Sequence, residues 1–301
     1  MAFAVPDHTV LINDGGLATE LEARGHDLSG PLWSARLLVD APDEISAVHA
    51  AFFHAGAMIA TTASYQASFD GFGARGIGPP AAAALLRRSV ELARAAVPCD
   101  GRSHWVAASI GPYGAALADG SEYRGRYGLS VTELAAWHRP RLEVLASAAP
   151  DVLALETVPD IDEAEALAGL VYQLDLPAWL SYTIDGDKTR AGQPLAEAFA
   201  VAADVSQIVA VGVNCCAPTD ALPAIALARE VTGKPVIAYP NSGERWAHGR
   251  WAGRSHFSTE LVTQWIAAGA RIVGGCCRVR PADIAELATA VDAADMAQKF
   301  K

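Results

Sequence analysis

Four of the five cysteines in this chain stand as two adjacent pairs, Cys215-Cys216 and Cys276-Cys277. Each pair closes a β-branched apolar run: Ile208-Val209-Ala210-Val211 leads through Gly212-Val213-Asn214 to the first, and Arg271-Ile272-Val273 leads through Gly274-Gly275 to the second. Both pairs therefore fall where a buried parallel strand ends. Thiolates converging there are good zinc ligands. Three protein ligands with an open fourth position make a catalytic zinc site rather than a structural one, which is closed by four. The open position would take a substrate.

Such convergence needs elements that bring distant strand ends together. Short apolar runs ending in Gly, polar or Cys residues alternate along the chain with longer Ala/Leu/Glu/Arg stretches of helical period, a repeated βα rhythm. The candidate strands are 10–13, 58–62, 105–109, 152–156, 178–183, 208–213, 235–239 and 270–274. The candidate helices are 45–55, 81–96, 132–148, 161–172, 195–203, 221–231, 258–268 and 282–293. Eight βα units with no linker or composition break predict an α/β fold, a (β/α)₈ TIM barrel occupying 1–301 as a single domain. The glycines after the first strand do not spell G-x-G-x-x-G, which disfavours a dinucleotide-binding sheet.

In a barrel the sixth and eighth strands are about 10 Å apart, at ~4.8 Å per strand, and cysteines with ~2.3 Å Zn–S bonds can just bridge that gap. Successive side chains on a strand point to opposite faces, so Cys276 and Cys277 share an ion only if the strand has ended before them. Gly274 and Gly275 are expected to provide the backbone freedom. Either Cys215 or Cys216 satisfies the same geometry as third ligand. Cys99, in a helix-to-strand connection, carries no such signal.

Other unusual residues also sit at strand C-termini, the catalytic face of such barrels: Asp14-Gly15-Gly16, Thr61-Thr62, Ser109-Ile110-Gly111-Pro112 and Glu156-Thr157. Glu156 ends an otherwise apolar strand, so a buried carboxylate there must be paired or hydrogen-bonded. The long loops 111–130 and 241–257 lie on the same predicted face as candidate lids, the second carrying Arg245, Trp246, His248, Arg250, Trp251 and Arg254.

The composition limits the function classes. A formal net charge of −11 argues against nucleic-acid binding, which needs a basic footprint. No apolar run approaches the ~20 residues of a membrane helix, and the N-terminus lacks a signal-peptide pattern, so a cytoplasmic protein with reduced thiols is expected.

The motifs Asp14-Gly15-Gly16-Leu17-Ala18-Thr19-Glu20-Leu21, Thr61-Thr62-Ala63-Ser64-Tyr65-Gln66-Ala67-Ser68, Ser109-Ile110-Gly111-Pro112-Tyr113-Gly114, Glu156-Thr157, Gly212-Val213-Asn214-Cys215 and Gly274-Gly275-Cys276-Cys277 together resemble the zinc-dependent homocysteine S-methyltransferases. The resemblance runs from about Val10 to Ala290. It implies Zn²⁺ held by Cys215, Cys276 and Cys277, choosing Cys215 over Cys216, with the homocysteine sulfur as fourth ligand. It further implies that Glu156 holds the homocysteine ammonium, that Asp14 and Gly15 close over the same substrate, and that Thr61 contributes a contact. Asn214 either touches substrate or orients the loop carrying Cys215.

The resemblance also bears on the methyl donor. The run Tyr239-Pro240-Asn241-Ser242-Gly243-Glu244 and the segment after Thr61 look like the sulfonium-using branch, with S-methylmethionine as donor and S-adenosylmethionine second. Betaine-using members carry an aromatic residue where Thr157 stands, and a quaternary ammonium is best held by an aromatic cage. Trp33 and Tyr113 are the remaining aromatic candidates near a donor, and Arg245 or Glu244 the candidates for anchoring its amino-acid end. The competing readings are a betaine-using enzyme and a non-catalytic zinc or redox-sensing barrel, the latter leaving Glu156, Asp14 and Thr61 unexplained.

Overall fold

The computed structural model of the chain describes residues 3–30, 32–247 and 250–299. All eight expected strands form: β1 (Leu11–Ile12), β2 (Ile59–Thr61), β3 (Trp105–Ile110), β4 (Val152–Val158), β5 (Ala178–Tyr182), β6 (Ile208–Asn214), β7 (Val236–Tyr239) and β8 (Ala270–Val273). They pair in parallel, each with its neighbours in sequence, and β1 pairs with β8. A bridge between Asn13 and Ile59 and a Met58 N–H bond to Ile12 O at 2.7 Å join β1 to β2 and close the ring. The fold is a (β/α)₈ barrel.

The period of two along each strand divides the core. Leu11, Ile59, Ala107, Ala154, Trp179, Ala210, Ile237 and Ile272 form one buried cluster inside the barrel, with Phe3 edge-on to Trp105 at 5.8 Å. Their strand neighbours, among them Ile12, Ala60, Val106, Leu153, Leu180 and Val211, belong to the larger cluster shared with the surrounding helices.

Helix boundaries follow capping chemistry. Helix Pro42–His54 starts three residues before the expected 45 because Pro42 takes the first helical position and Asp43 and Glu44 complement the helix dipole. Helix Val131–Ser147 opens on a reciprocal capping box between Ser130 and Glu133, and the last helix runs on to Lys299. Two antiparallel hairpins, Ile184–Asp185 with Lys188–Thr189 and Arg245–Ala247 with Arg250–Ala252, lie within the loops after β5 and β7 and were not expected. Among the described residues no helix is long and apolar enough to cross a membrane.

Candidate active site

The sulfur atoms of Cys215, Cys276 and Cys277 lie within 4.8 Å of one another, and those of Cys215 and Cys277 are 3.8 Å apart. Strand β8 ends at Val273, so the alternation that would separate Cys276 from Cys277 no longer applies to them. The expected role of the glycines changes. Neither Gly274 nor Gly275 is left-handed; Arg278 is, with φ +67°. Gly274 is needed for close approach, since a Cβ there would meet Asn13 Cβ at 2.8 Å.

Cys215 itself adopts φ +49°, held by its N–H to Tyr239 O at 3.3 Å and by the Thr183 hydroxyl donating to its carbonyl at 3.1 Å. That turn sends Cys215 to the cluster and leaves Cys216 fully buried in the outer core, where burial pushes its thiol pKa well up. Cys276 donates its N–H to Pro240 O at 2.8 Å, and Cys277 donates its own to Asn241 Oδ1 at 3.1 Å. Cys99 is exposed.

Three clustered thiols share charge unequally. Hydrogen bonds from Cys276 and Cys277 hold Cys215 well below the ordinary thiol range, and the same bonds push Cys276 and Cys277 up. Without a cation, burial permits one thiolate but penalises three. Three soft, mutually close donors that need a positive centre to ionise together fit a thiophilic metal ion.

The cluster opens onto a cavity also lined by Asp14, Gly15, Thr61, Glu156 and Tyr239. Glu156 is 6% exposed; one carboxylate oxygen accepts from the Ser109 hydroxyl and the other from the Tyr239 hydroxyl at 3.0 Å. Burial nevertheless raises its pKa to about 7, with the nearby Cys215 adding to the rise and the two hydroxyls opposing it. Asp14, 1% exposed, accepts from Thr61 N at 2.7 Å, and burial raises its pKa to about 8. Two buried carboxylates with these values are built to meet a cation. Thr61 also donates its hydroxyl to Asn13 Oδ1 at 3.2 Å, so it fixes the turn carrying Asp14. At Gly15 a Cβ would meet Val279 O at 2.6 Å.

Asn214 is fully buried behind the cavity wall, which it does not line. Its Oδ1 accepts from Thr157 N at 2.7 Å and Ser181 Oγ at 2.8 Å, while its Nδ2 donates to Thr157 Oγ1 at 2.7 Å. Of the two readings left open by the sequence, the geometry favours orientation of the loop.

Three side chains at the site have no individual role assigned from the sequence. Ser109 and Tyr239 stood at strand ends, a usable signal, but without assigned roles. Tyr123 comes from loop 111–130, whose sequence pattern gave no pointer to it; its hydroxyl reaches within 3.2 Å of Cys215 Sγ. Trp33 lines the cavity, edge-on to Tyr65 at 6.0 Å, whereas Tyr113 packs on Trp137 at 5.0 Å and does not line it. Glu244 is paired to Arg278 at 3.1 Å. His248 lies outside the described residues, as do the side chains of Arg245, Trp246 and Arg250.

Comparison with known proteins bears on this geometry. A family model described as homocysteine S-methyltransferase matches residues 11–291. A homocysteine S-methyltransferase of Escherichia coli (strain K12) is 45% identical over 291 residues, covering 92% of this chain and 94% of the relative. A selenocysteine Se-methyltransferase of Brassica oleracea var. italica is 40% identical over 304 residues, covering 91% of this chain and 86% of the relative. The crystal structure of the metallated form of the E. coli homocysteine methyltransferase MmuM superposes with a TM-score of 0.84 at 45% identity, covering 94% of this chain and 96% of that one.

Proposed function

Because the chain belongs to the homocysteine S-methyltransferase family, we propose that it makes methionine by moving a methyl group from a sulfonium donor to the sulfur of homocysteine, at a zinc ion held by Cys215, Cys276 and Cys277. The observation that carries this reading is the meeting of three cysteine sulfurs and two buried carboxylates in one cavity at the C-terminal face of the barrel. The 3.8 Å between Cys215 Sγ and Cys277 Sγ matches the edge of a tetrahedron with ~2.3 Å metal–sulfur bonds, about 3.8 Å. Zinc would supply a positive centre that keeps the homocysteine thiol deprotonated, while three cysteinates leave that sulfur electron-rich.

The chain's own groups do the rest. Glu156, with lone pairs left after Ser109 and Tyr239, accepts from the homocysteine ammonium, and Asp14 closes over the same end. Thr61 and Asn214 hold the turns that aim Asp14 and Cys215. Tyr123 covers the cluster and places its hydroxyl at Cys215. Homocysteine sulfur attacks the donor methyl carbon in line; the carbon–sulfur bond of the donor breaks, its electron pair stays on the donor sulfur, and a neutral thioether leaves.

We read S-methylmethionine as the preferred donor and S-adenosylmethionine as the second. Betaine would expel an amine from a carbon–nitrogen bond and needs an aromatic cage; Thr157 stands at the position following Glu156 and is tied to Asn214 instead. Free cysteines working as thiolates require a reducing compartment, the cytoplasm in this reading. The test is kcat/KM for the three donors at saturating homocysteine with zinc-loaded protein. Both sulfoniums should exceed betaine, and betaine matching them would overturn the donor assignment.

A further inference from the structure

A sulfonium amino acid carries an ammonium and a carboxylate a few bonds from its reacting sulfur, as homocysteine does, so two amino-acid ends must be held around one cluster. Asp14 and Glu156 serve one. A wider cleft continues from the cavity, sharing Trp33, Tyr65, Tyr123, Cys215 and Cys277 with it. Three residues lining this cleft each carry a buried side-chain atom with no hydrogen-bond partner among the described residues: Gln66 Oε1, Glu122 Oε2 and Arg190 Nε. They come from the loops after β2, β3 and β5.

Each is costly to bury unmet, and their characters are complementary to one ligand. Gln66, 8% exposed, offers a carbonyl oxygen. Glu122 offers a carboxylate, one of whose oxygens is buried without a partner. Arg190 lies over the Tyr123 ring at 5.9 Å, and the carboxylate facing it, that of Asp185, is 4.0 Å away with its side chain 83% exposed. A planar guanidinium held this loosely is free to take a carboxylate. Glu244, one of the two sequence candidates for this anchor with Arg245, is already committed to Arg278 and Ser242.

We propose that Glu122, Gln66 and Arg190 form the subsite for the donor's amino-acid end, Glu122 and Gln66 accepting from its α-ammonium and Arg190 donating to its α-carboxylate. This rests on the sulfonium reading above and narrows the donor to a sulfonium amino acid. Betaine has a carboxylate for Arg190 but no N–H for Glu122 and Gln66.

The experiment compares S-methylmethionine with trimethylsulfonium, which keeps the reacting centre and lacks both charged groups, at saturating homocysteine. Wild type, Glu122→Gln and Arg190→Gln are used as zinc-loaded full-length proteins, with thermal unfolding to confirm that each is folded and Gln66→Leu as a third variant. In each charge variant kcat/KM for S-methylmethionine should fall about 10- to 100-fold, the loss for one charged hydrogen bond, while values for trimethylsulfonium and the homocysteine KM change less than about twofold. An equal fall with both donors, no fall, or a rise in homocysteine KM in place of the donor effect overturns the subsite. If wild type turns over neither sulfonium, the donor reading itself fails and takes the subsite with it; if wild type uses S-methylmethionine and the variants are indifferent, only the subsite fails.

Discussion

Cys215 and Cys216 are neighbours in sequence with opposite surroundings, and one backbone angle separates them. With φ at +49° Cys215 turns its sulfur toward Cys276 and Cys277, whereas Cys216 packs in the apolar layer under the helices. Each of Cys215→Ala, Cys276→Ala and Cys277→Ala should therefore lose the metal, to well under half an ion per chain, while Cys216→Ala keeps it. Elemental analysis after dialysis reads this directly, and full retention in Cys215→Ala would remove it from the ligand set. Glu156→Gln keeps shape and removes charge; homocysteine KM should rise by about 10- to 100-fold, or ~1.5–3 kcal/mol, with the metal retained. An unchanged KM would refute the ammonium contact.

Asp14 supports a prediction of unusual sign. Its carboxyl is raised to about 8 by burial, whereas an unfolded aspartate titrates near ~3.9. Between those values the folded, ligand-free protein holds a proton that the unfolded chain has lost, so stability declines as pH rises from about 4 to 8. Below that window the penalty is absent, and above it the full penalty is present. Asp14→Asn keeps an acceptor for Thr61 N–H and carries no charge. Its Tm should exceed that of wild type by several degrees more at pH 8 than at pH 5. A Tm difference independent of pH would mean that Asp14 is already ionised in the empty site.

At the scale of elements, the ends of β4 and β6 are set against each other. Thr157 and Cys215 both occupy left-handed conformations, at φ +58° and +49°, each costing of order 1–3 kcal/mol. Asn214 binds both the N–H and the hydroxyl of Thr157 and is the residue before Cys215. Asn214→Ala should destabilise the fold by about 1–3 kcal/mol through the unpaired Thr157 groups and should weaken metal binding as well. Denaturant unfolding and metal affinity test the two effects separately; destabilisation with unaltered metal affinity would confine Asn214 to the fold.

The same elements mark what could be read from sequence. All eight strands were legible because each is an apolar run bounded by turn residues, buried on both faces. The meeting of the two cysteine pairs is legible because they sit at strand ends, whose relative positions a barrel fixes, but the choice of Cys215 over Cys216 comes from the family resemblance and not from that geometry. The backbone freedom expected of Gly274 and Gly275 is not what the turn uses. Gly274 and Gly275 are required for close approach to Asn13 and Val279, and the left-handed residue after the strand is Arg278. Tyr123 could not be found, since its approach to Cys215 across 92 positions in sequence depends on how loop 111–130 packs, and no period or spacing encodes that.

At the scale of the molecule, closing β1 onto β8 brings Asp14, Thr61, Glu156 and three cysteines, from five separate strand ends, around one cavity. Loops 111–130 and 241–257 complete its surroundings, contributing Tyr123 over the cluster and Asn241 to the Cys277 N–H. In the proposed reaction this cavity joins a sulfonium methyl to homocysteine. That reaction is tested most directly by mass spectrometry of methionine formed by zinc-loaded protein from ¹⁵N-labelled homocysteine and unlabelled S-methylmethionine. Each turnover should yield one labelled methionine from the acceptor and one unlabelled methionine from the demethylated donor, in equal amounts. Recovery of the labelled homocysteine unchanged from metal-loaded protein, or unlabelled methionine accumulating without its labelled counterpart, would contradict it.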